Sequence, residues 1–343
     1  MKKRAKDVKR VRASKKESSK QGMAISRSID VFQGRCEKAK DQLHTMLRRL
    51  GGIGAPAVVM QLVTLMFMNL GPININLDAC EYFAGEQAVT SAWAGNGYRI
   101  APFEIKLNPL MDILSVPGFC MALLMVMMVK DHGFSMIATV CSSWVFVSRS
   151  VTKRSLWQPL GDSSVKSVKC GNVMVARMAL IIWILESKLA MWLYEQPHTS
   201  MLFQHPRMQE LLKSLNVYRC HMYMGSYGTK SPKPTHLWSP TPTVNMFNLP
   251  LPGGKEWAPM VSKKLMPDGR VQVTGNSLLK NSQTYPREFG FATLRVWKMT
   301  EQREFPKENT PPKNLLQMKA KDSWKDADLK DVFQFLSLGT FKS

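Results

Sequence analysis

Acidic residues are scarce in this chain, and so is anything that would staple or anchor it. Its 343 residues hold 25 Asp and Glu against 47 Lys and Arg, a formal net charge of +22. That balance points to a polyanionic partner, nucleic acid or an anionic membrane surface, and says nothing about fold. Six cysteines (Cys36, Cys80, Cys120, Cys141, Cys170 and Cys220) stand singly with no CxxC pair. Their spacing argues against a zinc site or a disulfide framework, so no metal is expected and a reducing, intracellular compartment is the default. The longest apolar runs, Ala57 to Leu70, Phe119 to Val129 and Val173 to Leu185, fall short of the roughly 20 residues of a membrane span or carry a charge inside. They read as buried helices, and no membrane span is expected. A charged N-terminus argues against a secretory signal. The glycine pattern GxGxxG is missing, which argues against a dinucleotide site, and there is no internal repeat.

What is present begins with a basic arm. Met1 to Gly22 carries ten Lys and Arg and almost no large apolar residue, so it reads as a disordered tail serving nuclear import or phosphate binding. Ala24 to Leu50 has the spacing of an amphipathic helix, with Ile25, Ile29, Phe32, Leu43, Met46 and Leu47 on one side and Gly51-Gly52 as its stop. The chain thus divides into a tail (1–22), a helical extension (23–72), one α/β domain (73–245), an irregular extension closed by a helix (246–300) and a charged tail (301–343). Within that last tail, Asp326 to Leu338 is an acidic amphipathic segment.

The α/β domain is organised around residues 73–104. Ile73, Ile75 and Leu77 alternate with asparagines as a strand does, and Phe83-Ala84-Gly85 supplies a small-residue turn where backbone can approach a ligand. Gln87 to Trp93 then has helical period, and Tyr98 to Phe103 is a second strand ending at Glu104. An acid about 20 residues after a glycine turn is where a doubly wound fold holds a ribose by its hydroxyls. Further on, an apolar helix from Pro117 to Lys130 leads to a strand, Phe134 to Val140, that delivers Cys141. A second helix, Asn172 to Leu189, leads to the strand Met191 to Tyr194, which delivers Glu195. Residues just past the C-terminal ends of parallel strands line the ligand crevice, so a thiol and a carboxylate face one edge. Between these units lies a polar loop whose Arg149, Lys153 and Arg154 suit phosphate binding. Val217 to Met224 and Thr235 to Trp238 form a late antiparallel hairpin.

Together, Asp78-Ala79-Cys80-Glu81-Tyr82-Phe83-Ala84-Gly85, Glu104, Cys141 and Glu195 resemble the motifs of class I S-adenosylmethionine-dependent methyltransferases, and among them the cytosine-5 nucleic-acid methyltransferases. The family pattern Pro-Cys-Gln reads Val140-Cys141-Ser142 here, Glu-Asn-Val reads Glu195-Gln196-Pro197, and Lys233, Thr235 and His236 stand in place of Gln-x-Arg-x-Arg. The nearer likeness is therefore to divergent methyltransferase-like proteins. The resemblance implies a Rossmann-like methyltransferase fold, α/β with a mostly parallel doubly wound sheet and a late antiparallel strand. It implies S-adenosylmethionine as cofactor, with Asp78, Phe83, Ala84 and Gly85 around the methionine moiety, Glu104 on the ribose and Asp112 at the adenine edge. Cys141 and Glu195 would be catalytic, and DNA or RNA the partner. Two other readings stay open: an inactive methyltransferase-like nucleic-acid binder, and a small-molecule or protein methyltransferase.

Overall fold

The computed structural model describes residues 28–304 apart from 29, 255, 258, 260, 270 and 276–283. The basic arm Met1 to Gly22, Ile25, Ile29 and the segment Asp326 to Leu338 lie outside the described residues. Two helices come first, α1 (30–52) and α2 (Ala57–Leu70). They are followed by β1 (Leu77–Tyr82), α3 (Ala88–Ala94), β2 (Ile100–Phe103), α4 (Val116–Met128) and β3 (Val129–Ile137). Next are α5 (Arg149–Thr152), α6 (Lys166–Ser187), β4 (Met191–Pro197) and α7 (Pro206–Ser214). The described residues end with β5 (Tyr218–Tyr223), β6 (Pro234–Ser239), the hairpin β7 (Val261–Leu265) and β8 (Val271–Gly275), and α8 (Arg287–Glu304).

The described residues divide into two compact units. In the smaller, made of helical residues up to Arg48 with Gln61–Ile73, the Gln42 side-chain amide donates to Ile73 O and accepts from Ile73 N–H, both at 2.9 Å. The amphipathic face expected for α1 holds only in part. Met46 is buried, but Phe32 is 68 % exposed.

The larger unit is α/β, built on one six-stranded, mostly parallel sheet in the order β2-β1-β3-β4-β6-β5. Strands β1 to β4 pair in parallel, and β6 lies antiparallel between β4 and β5. Side-chain alternation along β1 assigns the layers. Tyr82 turns to one face, where its hydroxyl donates to Ala122 O of α4 (2.9 Å), and Glu81 turns to the other, where it accepts from Thr90 of α3. The second face is completed by α8 from the far end of the chain. Trp93 stacks on Phe134 and its indole N–H donates to Thr293 (3.0 Å). Gly290 permits this: a Cβ there would lie 2.3 Å from Ala88 O. On the first face, α4 opens with Ser115 Oγ accepting from Gly118 N–H and Pro117 in its first turn. Among the described residues only α6 has the length and apolarity of a membrane span, and its residues from Met178 to Leu185 are all core.

Several strand limits differ from expectation: residues 73–76, read as strand, precede β1, which starts at Leu77, and β3 starts at Val129 instead of Phe134. Cys141 lies four residues past the end of β3, on a turn, because pairing with β1 and β4 stops at Ile137. β4 runs to Pro197, since β6 supplies partners for Tyr194 through Pro197. Glu195 is therefore a strand residue, on the face that α8 covers.

Candidate active site

The C-terminal edge of the parallel strands begins with a backbone forced out of regular structure. Phe83 (φ 60°), Gly85 (φ 52°) and Gln87 (φ 58°) are all left-handed, a costly choice for the two that are not glycine. Phe83 N–H donates to Phe103 O (2.8 Å), which locks the turn to the end of β2. There Glu104, nearly buried, accepts from Gly85 N–H (3.0 Å) through Oε2 and from Lys106 N–H (3.1 Å) through Oε1. The glycine turn and the acid predicted to share a ligand are thus hydrogen-bonded to each other. A carboxylate offers about four acceptor positions, so two remain. Nothing lies within 4 Å of where a Gly85 side chain would begin, so the turn faces open space. A groove of about 470 Å³ is lined, among others, by Glu86, Ser91, Asn96, Tyr285 and Phe291.

One residue assigned to this subsite sits elsewhere. Asp78 is the second residue of β1, at the opposite end of the strand from Gly85. Its carboxylate accepts from Arg99 N–H (2.7 Å) and pairs with Lys130 Nζ, joining the starts of three strands. This corrects its assignment as a cofactor ligand. Asp112 lies past β2, where its Oδ1 accepts from Leu114 N–H (2.9 Å) and its backbone packs against Gly118 of α4.

A second cluster lies under α8. Tyr285 O–H donates to Glu195 Oε2 (2.8 Å), and Lys233 Nζ stands 3.5 Å from Glu195 Oε1 and 5.1 Å from the centre of the Tyr285 ring. Oε1 has no well-formed hydrogen bond beyond that ion pair. Lys233 reaches this position through a left-handed backbone (φ 39°), held by Met224 N–H and the Thr235 hydroxyl on its carbonyl. Cys141 faces the same groups. Burial pushes its thiol up to about 11, the Glu195 carboxylate adds to the rise, and Lys233 opposes it. Glu81, fully buried one residue before the end of β1, accepts from Thr90 N–H (2.7 Å) and Oγ1 (2.6 Å) through Oε2 and leaves Oε1 unpartnered. Burial raises it to about 7. Burial also pushes the Tyr285 phenol upward, as do the charges of Glu195, Glu81 and Cys141, which marks these groups as one cluster. This gathering of buried, shifted groups makes the strand edge the candidate site.

The structure thus brings Cys141 and Glu195 together, as the two strand ends predict, and adds Lys233, Tyr285 and Glu81. Glu81 was within reach of sequence reasoning as an acid directly before the Phe83 turn. Tyr285 was not, because it arrives from a segment distant in sequence, and Lys233, which the sequence places only at a family motif position, reaches the cluster because β6 pairs with β4.

The basic trio separates. Arg154 is buried, 2 % exposed, and donates to Ser143 O (2.9 Å), Pro159 O (2.6 Å) and Asn172 Oδ1 (2.9 Å) while lying 3.3 Å over the Trp144 ring. This corrects its assignment to nucleic acid: its donors are spent on its own loop. Arg149 lies over Phe146 (5.0 Å), and Lys153 is exposed. Among the described residues no group of three His, Cys, Asp or Glu is arranged to hold a metal. No family model and no curated protein matches the chain.

Proposed function

We propose that this protein is an S-adenosylmethionine-dependent methyltransferase of Rossmann-like fold acting on nucleic acid. The observation that carries the reading is the sheet edge itself: Glu104 bonded to the open Gly85 turn at one end, and Cys141, Glu195 and Lys233 gathered at the other, in a sheet whose only reversed strand is β6. The residues present fit the cofactor. The open space at Gly85 admits its chain, and the free acceptor positions of Glu104 suit ribose hydroxyls. When bound, the cofactor supplies an electrophilic methyl group.

The chain's own residues supply the rest. A thiolate at Cys141 Sγ adding to C6 of cytosine opens the C5–C6 double bond and makes C5 nucleophilic, with the Glu195 carboxyl hydrogen-bonded at N3. Once C5 carries the methyl group, loss of the C5 proton to solvent re-forms the double bond and expels the Cys141 thiolate. Tyr285 and Lys233 fix the Glu195 carboxyl, and Lys233 favours the thiolate. Lys153 and Arg149 supply positive charge for a phosphate backbone. An intracellular, nuclear setting accords with the basic arm.

Calorimetric titration of S-adenosylmethionine into the protein and into Glu104→Ala tests this. Binding that the variant weakens by about tenfold or more, the worth of one charge-assisted hydrogen bond, is expected. A folded protein that binds no cofactor overturns the reading. The Cys141 thiol at about 11 favours a second reading, a methyltransferase-like domain that binds nucleic acid without transferring methyl. Labelled-methyl transfer that Cys141→Ala abolishes while cofactor binding survives decides between them.

A further inference from the structure

Away from the cluster, two neighbouring segments turn apolar side chains to the outside. The first runs from Phe146 to Leu160. Its tip is the turn Ser155–Gln158, closed by reciprocal backbone hydrogen bonds of 3.2 Å, and it carries Leu156 and Trp157, the latter 96 % exposed. Phe146 and Val151 are exposed on the same segment. The second is the hairpin β7–β8, whose β8 packs against the helical turn Phe146–Ser148 and which exposes Leu265 (71 %) and Val271. Exposed Lys153, Lys263 and Lys264 stand among these residues, and among the described residues of the two segments the only acid is Asp268, with Asp162 just past the first.

The first tip is not a loose loop. The buried Arg154 guanidinium grips Ser143 O and Pro159 O on either side of it, and Gly161 (φ 65°) turns the chain back toward α6. Apolar exposure on this scale, held out by a rigid scaffold and ringed by lysines, marks a surface that meets a partner. The side chains say which. Aliphatic Val151, Leu156, Leu265 and Val271 gain nothing from stacking on bases but gain about 0.8 kcal/mol per CH₂ in hydrocarbon. Tryptophan suits the boundary between headgroups and acyl chains, and lysine suits anionic headgroups. We infer that the tip around Trp157 and the hairpin β7–β8 dock this protein peripherally on an anionic lipid surface. This inference stands independently of methyl transfer.

The test is flotation of the full-length protein with phosphatidylcholine vesicles, with and without about 30 per cent phosphatidylserine. Wild type is compared with Leu156→Ser/Trp157→Ala and with Lys263→Glu/Lys264→Glu. Trp157 and Leu156 touch too little to matter for folding, and an unchanged circular dichroism spectrum establishes that. Binding much stronger to the anionic vesicles than to phosphatidylcholine alone, and weakened about tenfold in each variant, is expected. The basic N-terminal arm also attracts such vesicles, but that attraction is screened in roughly 0.5 M salt. The apolar contribution persists there, and brominated lipid quenches tryptophan fluorescence in wild type and not in Trp157→Ala. Variants that bind as wild type does, or a wild type that ignores vesicles, overturn the inference. So does fluorescence quenched by a single-stranded oligonucleotide through Trp157 without any effect of lipid, which assigns the surface to nucleic acid.

Discussion

At Cys141 the protein holds a thiol in a form that is a poor nucleophile. Burial is the largest cause of its rise to about 11, and the Glu195 carboxylate comes next. At pH 8 about one thiol in a thousand is ionised, so its reactivity should climb roughly tenfold per pH unit through the neutral range. Neutralising the neighbour should release part of the constraint. In Glu195→Gln the opposing charge is gone while Lys233 remains, and the thiol falls. Alkylation of the Cys141 peptide by iodoacetamide at pH 8, read by mass spectrometry against the exposed Cys36, should become several-fold faster. Lys233→Met should slow it. A slower Glu195→Gln would mean that the carboxylate acts as the thiol's base, and the electrostatic account would fail.

At the level of elements, the segment from α5 to α6 is organised by one buried cation. Arg154 satisfies three carbonyls, including Val168 O, and the Asn172 side chain, and burial lowers it to about 10. Arg154→Ala leaves those acceptors unpaired, so a loss of about 3 kcal/mol is expected in urea unfolding, with faster tryptic cleavage after Lys153. Arg154→Lys should not restore it, because an ammonium lacks the planar fork. Equal stability of wild type and Arg154→Ala would show that the loop does not depend on this residue. Arg154 also shows where sequence reading stops. The buried helices were legible, since the apolar runs of α4 and α6 follow from burial on most sides, whereas the alternation at Ile73, Ile75 and Leu77 only leads up to β1, which starts at Leu77. A run of Arg149, Lys153 and Arg154 in a Ser-rich segment has no such period. What sends Arg154 inward is the left-handed Lys153 that ends α5 (φ 54°). Asp78 was misplaced for a related reason: whether an acid lies at the start or the end of a strand depends on limits set by partners distant in sequence. Cys141 and Glu195 were legible because each is expected at the end of a buried strand, although Glu195 lies within β4, whereas Tyr285 reaches Glu195 across 90 residues.

Across the whole molecule, the buried acid at Glu81 bears on stability as well as on the site. Its ordinary value is 4.5 and its folded value about 7. The unfolded chain therefore gives up this proton first as pH rises. The stability it contributes is fully present below about 4.5 and is lost as pH climbs through 7, on the order of 3 kcal/mol in all. Glu186, raised to about 7 by burial, acts in the same window with the same sign. His205 and His236, lowered by burial to about 3 and about 4, act oppositely, since the unfolded chain takes up their protons below 6.5. These contributions offset one another only where the windows overlap, between 4.5 and 6.5, so there the wild-type curve of stability against pH does not isolate any one group. The difference from Glu81→Gln isolates one group. Glutamine resembles the protonated carboxyl and still accepts from Thr90, so the two proteins should be about equally stable at pH 4.5. By pH 8 the variant should be more stable by up to about 3 kcal/mol in urea unfolding. A difference that stays constant with pH would show that Glu81 titrates normally in the fold. A difference that grows as expected would mean that the protein keeps an ionisable acid beside Tyr285 at a standing cost to its fold, a cost that makes sense for a group that handles a proton.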